Sequence, residues 1–176
     1  MRSALRAVLL LLLTLLPAEA AIADSMPPGT HELGGSAEIV LPEGGSYVRL
    51  SPRLGTVFAP GCEVEFEMGF ARESNGLSNS TLSFAADFLY NFETMSAPYP
   101  FMLAGLGFAR SHREWEQGHV QYESSDTNGL LNLGAGIRVP LTESGLIRVE
   151  LRYTHEFSSP EANTTVLRAG LSFLLK

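Results

Sequence analysis

A single cysteine, Cys62, among 176 residues leaves no intramolecular disulfide to form, so nothing staples the fold covalently. Lysine is absent until the last residue, Lys176, and the formal net charge is −7. That balance excludes a surface built to wrap nucleic acid, which needs clustered Lys and Arg against phosphate. Charged residues make up only 18% of the chain, and its 17 glycines suit neither a disordered acidic tail nor a helical bundle. Beyond the N-terminus no apolar run approaches the roughly 18 residues of a membrane-spanning helix. Helix periodicity is equally scarce, because Gly, β-branched and aromatic residues interrupt each candidate segment.

What is present first is an export signal. Arg2 and Arg6 precede an apolar run over 8–16, broken only by Thr14; Pro17 and then Ala18-Glu19-Ala20-Ala21-Ile22-Ala23 follow. A basic start, a short apolar segment and an A-x-A site predict a signal peptide over 1–23, cut after Ala20 or Ala23. The run is too short to anchor the chain as a spanning helix. No cysteine lies at the cleavage site, so this is not a lipoprotein signal. The mature domain, 24–176, is expected to be exported and acidic.

Period-two alternation then recurs in eight segments: 31–41, 46–58, 62–72, 80–92, 98–110, 128–139, 145–157 and 164–174. Turn chemistry separates them, for example Pro42-Glu43-Gly44-Gly45, Ala59-Pro60-Gly61 and Thr142-Glu143-Ser144-Gly145. One face of each segment is apolar: Val64, Phe66, Met68, Phe70 in the third, and Ile147, Val149, Leu151, Tyr153 in the seventh. The opposite faces collect Arg49, Arg53, Arg138, Arg148, Arg152 and Arg168. They also collect Glu32, Glu38, Glu63, Glu65, Glu67, Asp87, Glu150 and Glu156.

A soluble periplasmic β-protein could expose such faces to water, but its surface usually mixes Lys with Glu. Near-balanced Arg and carboxylate instead suit a narrow closed interior, where guanidinium forks pair with acids and an unpaired charge costs several kcal/mol. The segments match the roughly 9–11 tilted residues that cross a bilayer. The expected fold is all-β: an eight-stranded antiparallel up-and-down transmembrane β-barrel, its apolar faces on lipid and its edges removed by closure. With both ends on the periplasmic side, Phe58, Tyr90, Phe92, Tyr99, Phe101 and Phe173 would form an inner aromatic girdle. Tyr47, Phe70, Phe108 and Phe157 would form the outer one. The outer connections, 42–45, 73–79, 111–127 and 158–163, include the one long loop, 111–127. Eight strands leave room only for side chains, so a general pore is not expected.

Two family resemblances follow from particular residues. Pro98-Tyr99-Pro100-Phe101-Met102-Leu103-Ala104-Gly105-Leu106-Gly107-Phe108, Leu131-Asn132-Leu133-Gly134-Ala135-Gly136-Ile137 and the final Arg168-Ala169-Gly170-Leu171-Ser172-Phe173-Leu174-Leu175 resemble the small OmpA/OmpX-like outer-membrane barrels of Gram-negative bacteria. That likeness covers about 31–176. It implies a monomer in the cell outer membrane with lipopolysaccharide as neighbour, delivered by the outer-membrane assembly machinery through its C-terminal strand, and without a cofactor. Arg152-Tyr153-Thr154-His155-Glu156-Phe157-Ser158-Ser159, with Asn163 after it, is similar to the penultimate-strand end of the lipid A 3-O-deacylase family. That likeness implies an esterase alternative.

Candidate chemistry is sparse. His155 and Ser158 form the one plausible base and nucleophile pair, with Glu161 as the nearest orienting acid, because 164–176 holds no Asp or Glu. Residues three apart on a strand point to opposite faces, so the preferred reading has no catalytic residue: His155 belongs to the rim and Ser158 opens a turn. His112, Glu114, Glu116 and His119 crowd the long loop without any dedicated metal spacing, so no metal is expected. Arg72 and Arg110 end the matching stretches Gly69-Phe70-Ala71-Arg72 and Gly107-Phe108-Ala109-Arg110, at the outer rim and facing outward. There they are candidates for lipopolysaccharide phosphate. Gly134 and Gly136 are read as pointing inward, making room for lumen side chains, and Cys62 as a free thiol at an inner turn.

Overall fold

In a computed structural model the chain is described over 26–40, 46–74, 78–94, 97–117, 120–158 and 162–175. Eight strands run in chain order: β1 (His31–Val40), β2 (Ser46–Ala59), β3 (Cys62–Ser74), β4 (Ser78–Asn91), β5 (Tyr99–Gln117), β6 (Val120–Pro140), β7 (Gly145–Phe157) and β8 (Ala162–Leu175). Each pairs antiparallel with the next, and β8 pairs with β1, so the sheet closes into a barrel with no free edge along its wall. The stretch read as an export signal lies outside the described residues.

The register fixes the shape. Leu33 pairs with Leu54, and the row continues through Phe66, Ala86, Leu106, Leu131 and His155 to Asn163 on β8. Leu33 also pairs directly with Phe173, ten residues from Asn163, so the barrel has a shear of ten. Eight strands with that stagger tilt by about 40° and leave an interior only as wide as its side chains. Both described chain ends lie at one rim, here the terminal rim; the opposite one is the hairpin rim.

Alternation along each strand sorts residues inside out relative to a soluble protein. Among the described residues nineteen polar or charged residues are buried against nine hydrophobic ones, while twenty-four large hydrophobics are exposed. Leu167, Leu106 and Phe66 are 70%, 65% and 60% exposed, in a belt that runs round the whole wall. Water would meet an apolar surface far larger than soluble monomers show; hydrocarbon is the medium in which it costs nothing.

Two expectations need correction. The stretch 111–127 is not a loop: β5 and β6 continue as a paired ladder to Gln117 and Val120. Beyond Glu114, β5 has no pairing with β4, and Val120–Asn128 lies beyond the end of β7, so the hairpin projects from the barrel. Above the belt both faces of a strand meet water, and the apolar–polar alternation by which a strand is recognised disappears. Phe101 is not a girdle residue either. It is 1% exposed and packs inside with Leu89 and Leu103. Of the other girdle residues, Phe58, Tyr90 and Phe173 are exposed near the terminal rim and Phe70, Phe108 and Phe157 near the hairpin rim. Phe92 is half-buried, edge-on to Tyr90 with ring centres 5.1 Å apart, and Tyr99 is half-buried as well. The side chain of Tyr47 lies outside the described residues.

Phe101 fits because Gly136 faces it. A Cβ on Gly136 would stand 2.7 Å from Phe101 Cζ and closer still to the Val149 carbonyl oxygen. Gly136→Val should therefore lower stability by about 1–3 kcal/mol, as overpacking does, read as a lower urea midpoint in detergent. Gly35→Ala, where a Cβ would make only ordinary contacts from 3.6 Å outward, should leave the midpoint in place. Equal midpoints for the two variants would contradict the inward placement of Phe101.

Candidate functional site

The lumen is where chemistry-bearing side chains meet. Inward positions of β1, β3 and β4 supply Glu32, Glu38, Glu63, Glu65, Glu67 and Asp87, and β7 adds Glu150. Arginines come from β2 (Arg49, Arg53), β6 (Arg138), β7 (Arg148, Arg152) and β8 (Arg168). Many of the pairs between them cross the barrel, while Arg53 pairs with acids of the neighbouring strands and Glu150 with arginines of its own strand.

Nearest the terminal rim, Arg138 Nη2 lies 2.9 Å from both Glu32 Oε2 and Glu63 Oε2. Its Nη1 donates to Asn91 Oδ1, while Asn91 Nδ2 donates to Glu63 Oε2 at 3.1 Å. One step up, Arg148 pairs with Glu65 across the lumen and reaches Glu150 Oε2 at 2.6 Å. The Arg148 and Arg138 guanidinium carbons lie 4.4 and 4.8 Å from the centre of the Phe101 ring, a cation–π arrangement that seats the ring among the charges. Arg53 Nε sits 3.5 Å from Glu65 and 3.6 Å from Glu32, and its Nη2 donates to Ser172 Oγ at 2.9 Å.

Higher still, Arg152 pairs with Glu150 and lies 3.1 Å from Asp87 and 3.4 Å from Glu67. Arg168 grips Glu67 with both terminal nitrogens, at 2.9 and 3.1 Å, and donates to Ser51 Oγ at 2.6 Å. Glu38 is 3.8 Å from Arg168. Asn132 bridges Asp87 to Thr154, and Arg49 donates to Ser83 Oγ at 2.7 Å near the hairpin rim. The composition of the inward faces is visible in the sequence; the pairings are not, because they depend on which strands the closed barrel sets opposite one another. Asn91, Asn132, Ser51, Ser83 and Ser172 also belong to the network. Their only sequence signal is a polar residue at inward parity.

Arg72 and Arg110 are exposed on the outward face, at corresponding places near the hairpin rim. Arg72 stands opposite Ser80 and Arg110 opposite Leu82, with the outward face of β4 between them. His155 is half-buried and outward, its ring edge-on to Phe157 at 4.6 Å. His155 Nδ1 lies 2.8 Å from Asn163 Oδ1, an oxygen that also accepts from the Tyr153 hydroxyl at 2.6 Å. Asn163 is itself a β8 residue directly opposite His155 rather than part of a loop. The Ser158 amide donates to the Glu156 carbonyl at 2.9 Å, and Glu161 lies outside the described residues. Among the described residues no group of three or more His, Cys, Asp and Glu could hold a metal. His112 Nδ1 lies 3.0 Å from Ser125 Oγ; His119 and the side chains of Glu114 and Glu116 fall outside the described residues.

A closed antiparallel ladder, hydrocarbon outside and paired charge inside, defines a transmembrane β-barrel. Residues 8–173 match the model of the outer membrane protein beta-barrel domain, and the chain belongs to that family. Among solved structures it is similar to the N-terminal β-barrel domain of Pseudomonas aeruginosa OprF, at 14% identity over 85% of this chain and 100% of that one, TM-score 0.56. It is also similar to Neisserial surface protein A, at 19% identity over 82% and 94% of the two chains, TM-score 0.51. A major outer membrane protein from Thermus thermophilus is similar at 12% identity over 83% and 99%, TM-score 0.55. At these identities the likeness is one of fold alone. None of the curated proteins matches the chain.

Removing the Arg152 guanidinium leaves Asp87 without an ion-pair partner among the described residues, while Glu67 keeps Arg168 and Glu150 keeps Arg148. Arg152→Leu should cost on the order of 3–5 kcal/mol, because it strands the buried Asp87 and takes one of the guanidiniums from Glu67 and Glu150. Added salt should hardly change the loss, because buried pairs are poorly screened. An unmoved urea midpoint would place Arg152 in water.

Proposed function

We propose that the mature chain resides in the outer membrane of a Gram-negative cell as a monomeric barrel filled by its own side chains. Its work there is structural and at the surface, with the projecting β5–β6 hairpin as the contact element and lipopolysaccharide as the surrounding lipid. The observation that carries this reading is the inversion of polarity, with charges paired inside and an apolar belt outside. The N-terminal pattern of Arg2, Arg6, an apolar run and Ala20 or Ala23 supports export, and the outward Phe173 on the last strand supports delivery by the assembly machinery. A lumen crossed by Arg–carboxylate pairs from Arg138 up to Arg168 and filled at one level by Phe101 supports a barrel that does not conduct.

Cell fractionation should place the protein in the outer membrane, and unboiled samples should migrate faster on gels than boiled ones. In planar bilayers it should show no steady unitary conductance. Recovery as a soluble periplasmic protein without detergent would overturn the reading.

The role proposed includes no hydrolysis. Lipid A extracted from a host that expresses the protein should keep all its acyl chains by mass spectrometry. Loss of a 3-hydroxyacyl chain that disappears in both His155→Ala and Ser158→Ala would make it a deacylase.

A further inference from the structure

Nine arginines lie among the described residues, and six of them point into the lumen toward carboxylate or hydroxyl partners. Arg113 shares inward parity on β5, opposite Asn79 just before the hairpin projects. Arg113 is exposed, as Arg72 and Arg110 are, but those two differ from all the others in facing outward, and they have no ion-pair or hydrogen-bond partner among the described residues. The register sets them on either side of one strand, β4, with the Ser80 hydroxyl position between them. The next outward residues toward the terminal rim are Phe70 below Arg72 and Phe108 below Arg110, where the apolar belt begins. Two free guanidinium forks therefore stand at the level where hydrocarbon gives way to headgroups.

The belt beneath them is not even. A groove of about 500 Å³ crosses the outward faces of β1 to β5, lined by Leu33, Leu54, Phe66, Met68, Leu106 and Phe108 and floored by Ala86. Its β3–β5 part lies on the strands that carry and separate the two arginines. Phe108, directly below Arg110, stacks at 5.4 Å on Phe84 to form the wall nearest the rim. The small Ala86 makes the depth, since its neighbours across the ladder are Phe66 and Leu106. Bulk lipid would touch this surface anywhere; a groove with cations at its head selects.

We propose that Arg72, Arg110 and this groove form one site for a single lipid of the outer leaflet that carries an anionic phosphomonoester. Its phosphate sits on the two guanidiniums and one of its acyl chains lies in the groove. The site rests on the outer-membrane reading above. A guanidinium presents a planar fork that matches two phosphate oxygens, and the two forks are held on a rigid ladder rather than on loops. The phosphate supplies the selectivity, and the groove supplies the contact area that a free phosphate could not use.

The full-length chain in neutral detergent can be titrated by native mass spectrometry with bisphosphorylated lipid A, the same lipid dephosphorylated, phosphatidylcholine and inorganic phosphate. A one-to-one lipid A complex is expected. Dephosphorylation, or Arg72→Gln with Arg110→Gln, should weaken it by about tenfold or more, on the order of a lost charge-assisted hydrogen bond. Ala86→Phe, which fills the groove, should also weaken it. The charge variants lie at the exposed rim and carry the test even if Ala86→Phe does not fold. Equal binding of both lipid A forms or of phosphatidylcholine, displacement by millimolar inorganic phosphate, or a dimer in place of the lipid complex would each overturn the site. Heat-dependent migration of every sample separates that result from a failure of the barrel reading, which would abolish the fast-migrating form in the unmodified chain too.

Discussion

Charge cannot be left alone inside this barrel, and most of the molecule follows from that. An ion taken out of water costs several kcal/mol unless a counter-ion and further hydrogen bonds meet it. Here the guanidiniums of β6, β7 and β8 meet carboxylates of β3 and β4 on the facing wall. A strand's inward face is therefore satisfied only once the opposite strand is in place, which ties charge pairing to barrel closure. The same arrangement enforces register. A slip of one residue would turn Glu63, Glu65 and Glu67 toward lipid and Phe66, Met68 and Phe70 toward the lumen.

Long charged side chains need room, and glycine makes it. A Cβ on Gly69 would stand 2.6 Å from Arg49 Nη2, and one on Gly34 would meet Ser172 Oγ and lie 3.1 Å from Arg53 Nε. Cβ atoms on Gly55 and Gly105 would collide with the carboxylates of Glu63 and Asp87. Glycine is ordinarily a poor strand residue, yet this interior is packed by pairing it with Arg, Glu, Asp and Phe. Gly34, Gly55, Gly69 and Gly105 are thus the complement of the lumen charges beside them.

The eight strands and their inward and outward faces were legible because one face of each meets hydrocarbon and the other charge. Where that contrast ends, so does the signal. His112, Arg113, Ser124 and Asp126 offer no apolar face, and the hairpin that contains them reads as a loop. β5 fails in the opposite way. Tyr99, Phe101 and Leu103 alternate with Pro100, Met102 and Ala104, so both faces are apolar and hydropathy cannot assign parity. The decision rests with Gly134 and Gly136 on β6, which leave space on the inside. Most partners across the lumen were not legible: Arg148 and Glu65 are 83 residues apart, and only closure with a shear of ten brings them together.

A lumen that satisfies its own charges has little to offer a ligand. Each of the six lumen guanidiniums is already engaged, often by two acids, and Phe101 occupies the space between Arg138 and Arg148. Recruiting any of these groups to a partner would strip a buried acid of its counter-charge, which opposes binding there. A partner would be left the surfaces that are not needed for closure: the projecting β5–β6 hairpin and the rim above the belt. Arg72 and Arg110 can therefore bind without loosening the barrel, because no lumen pair depends on them. Rigidity inside and availability at the rim are two sides of one distribution of arginine.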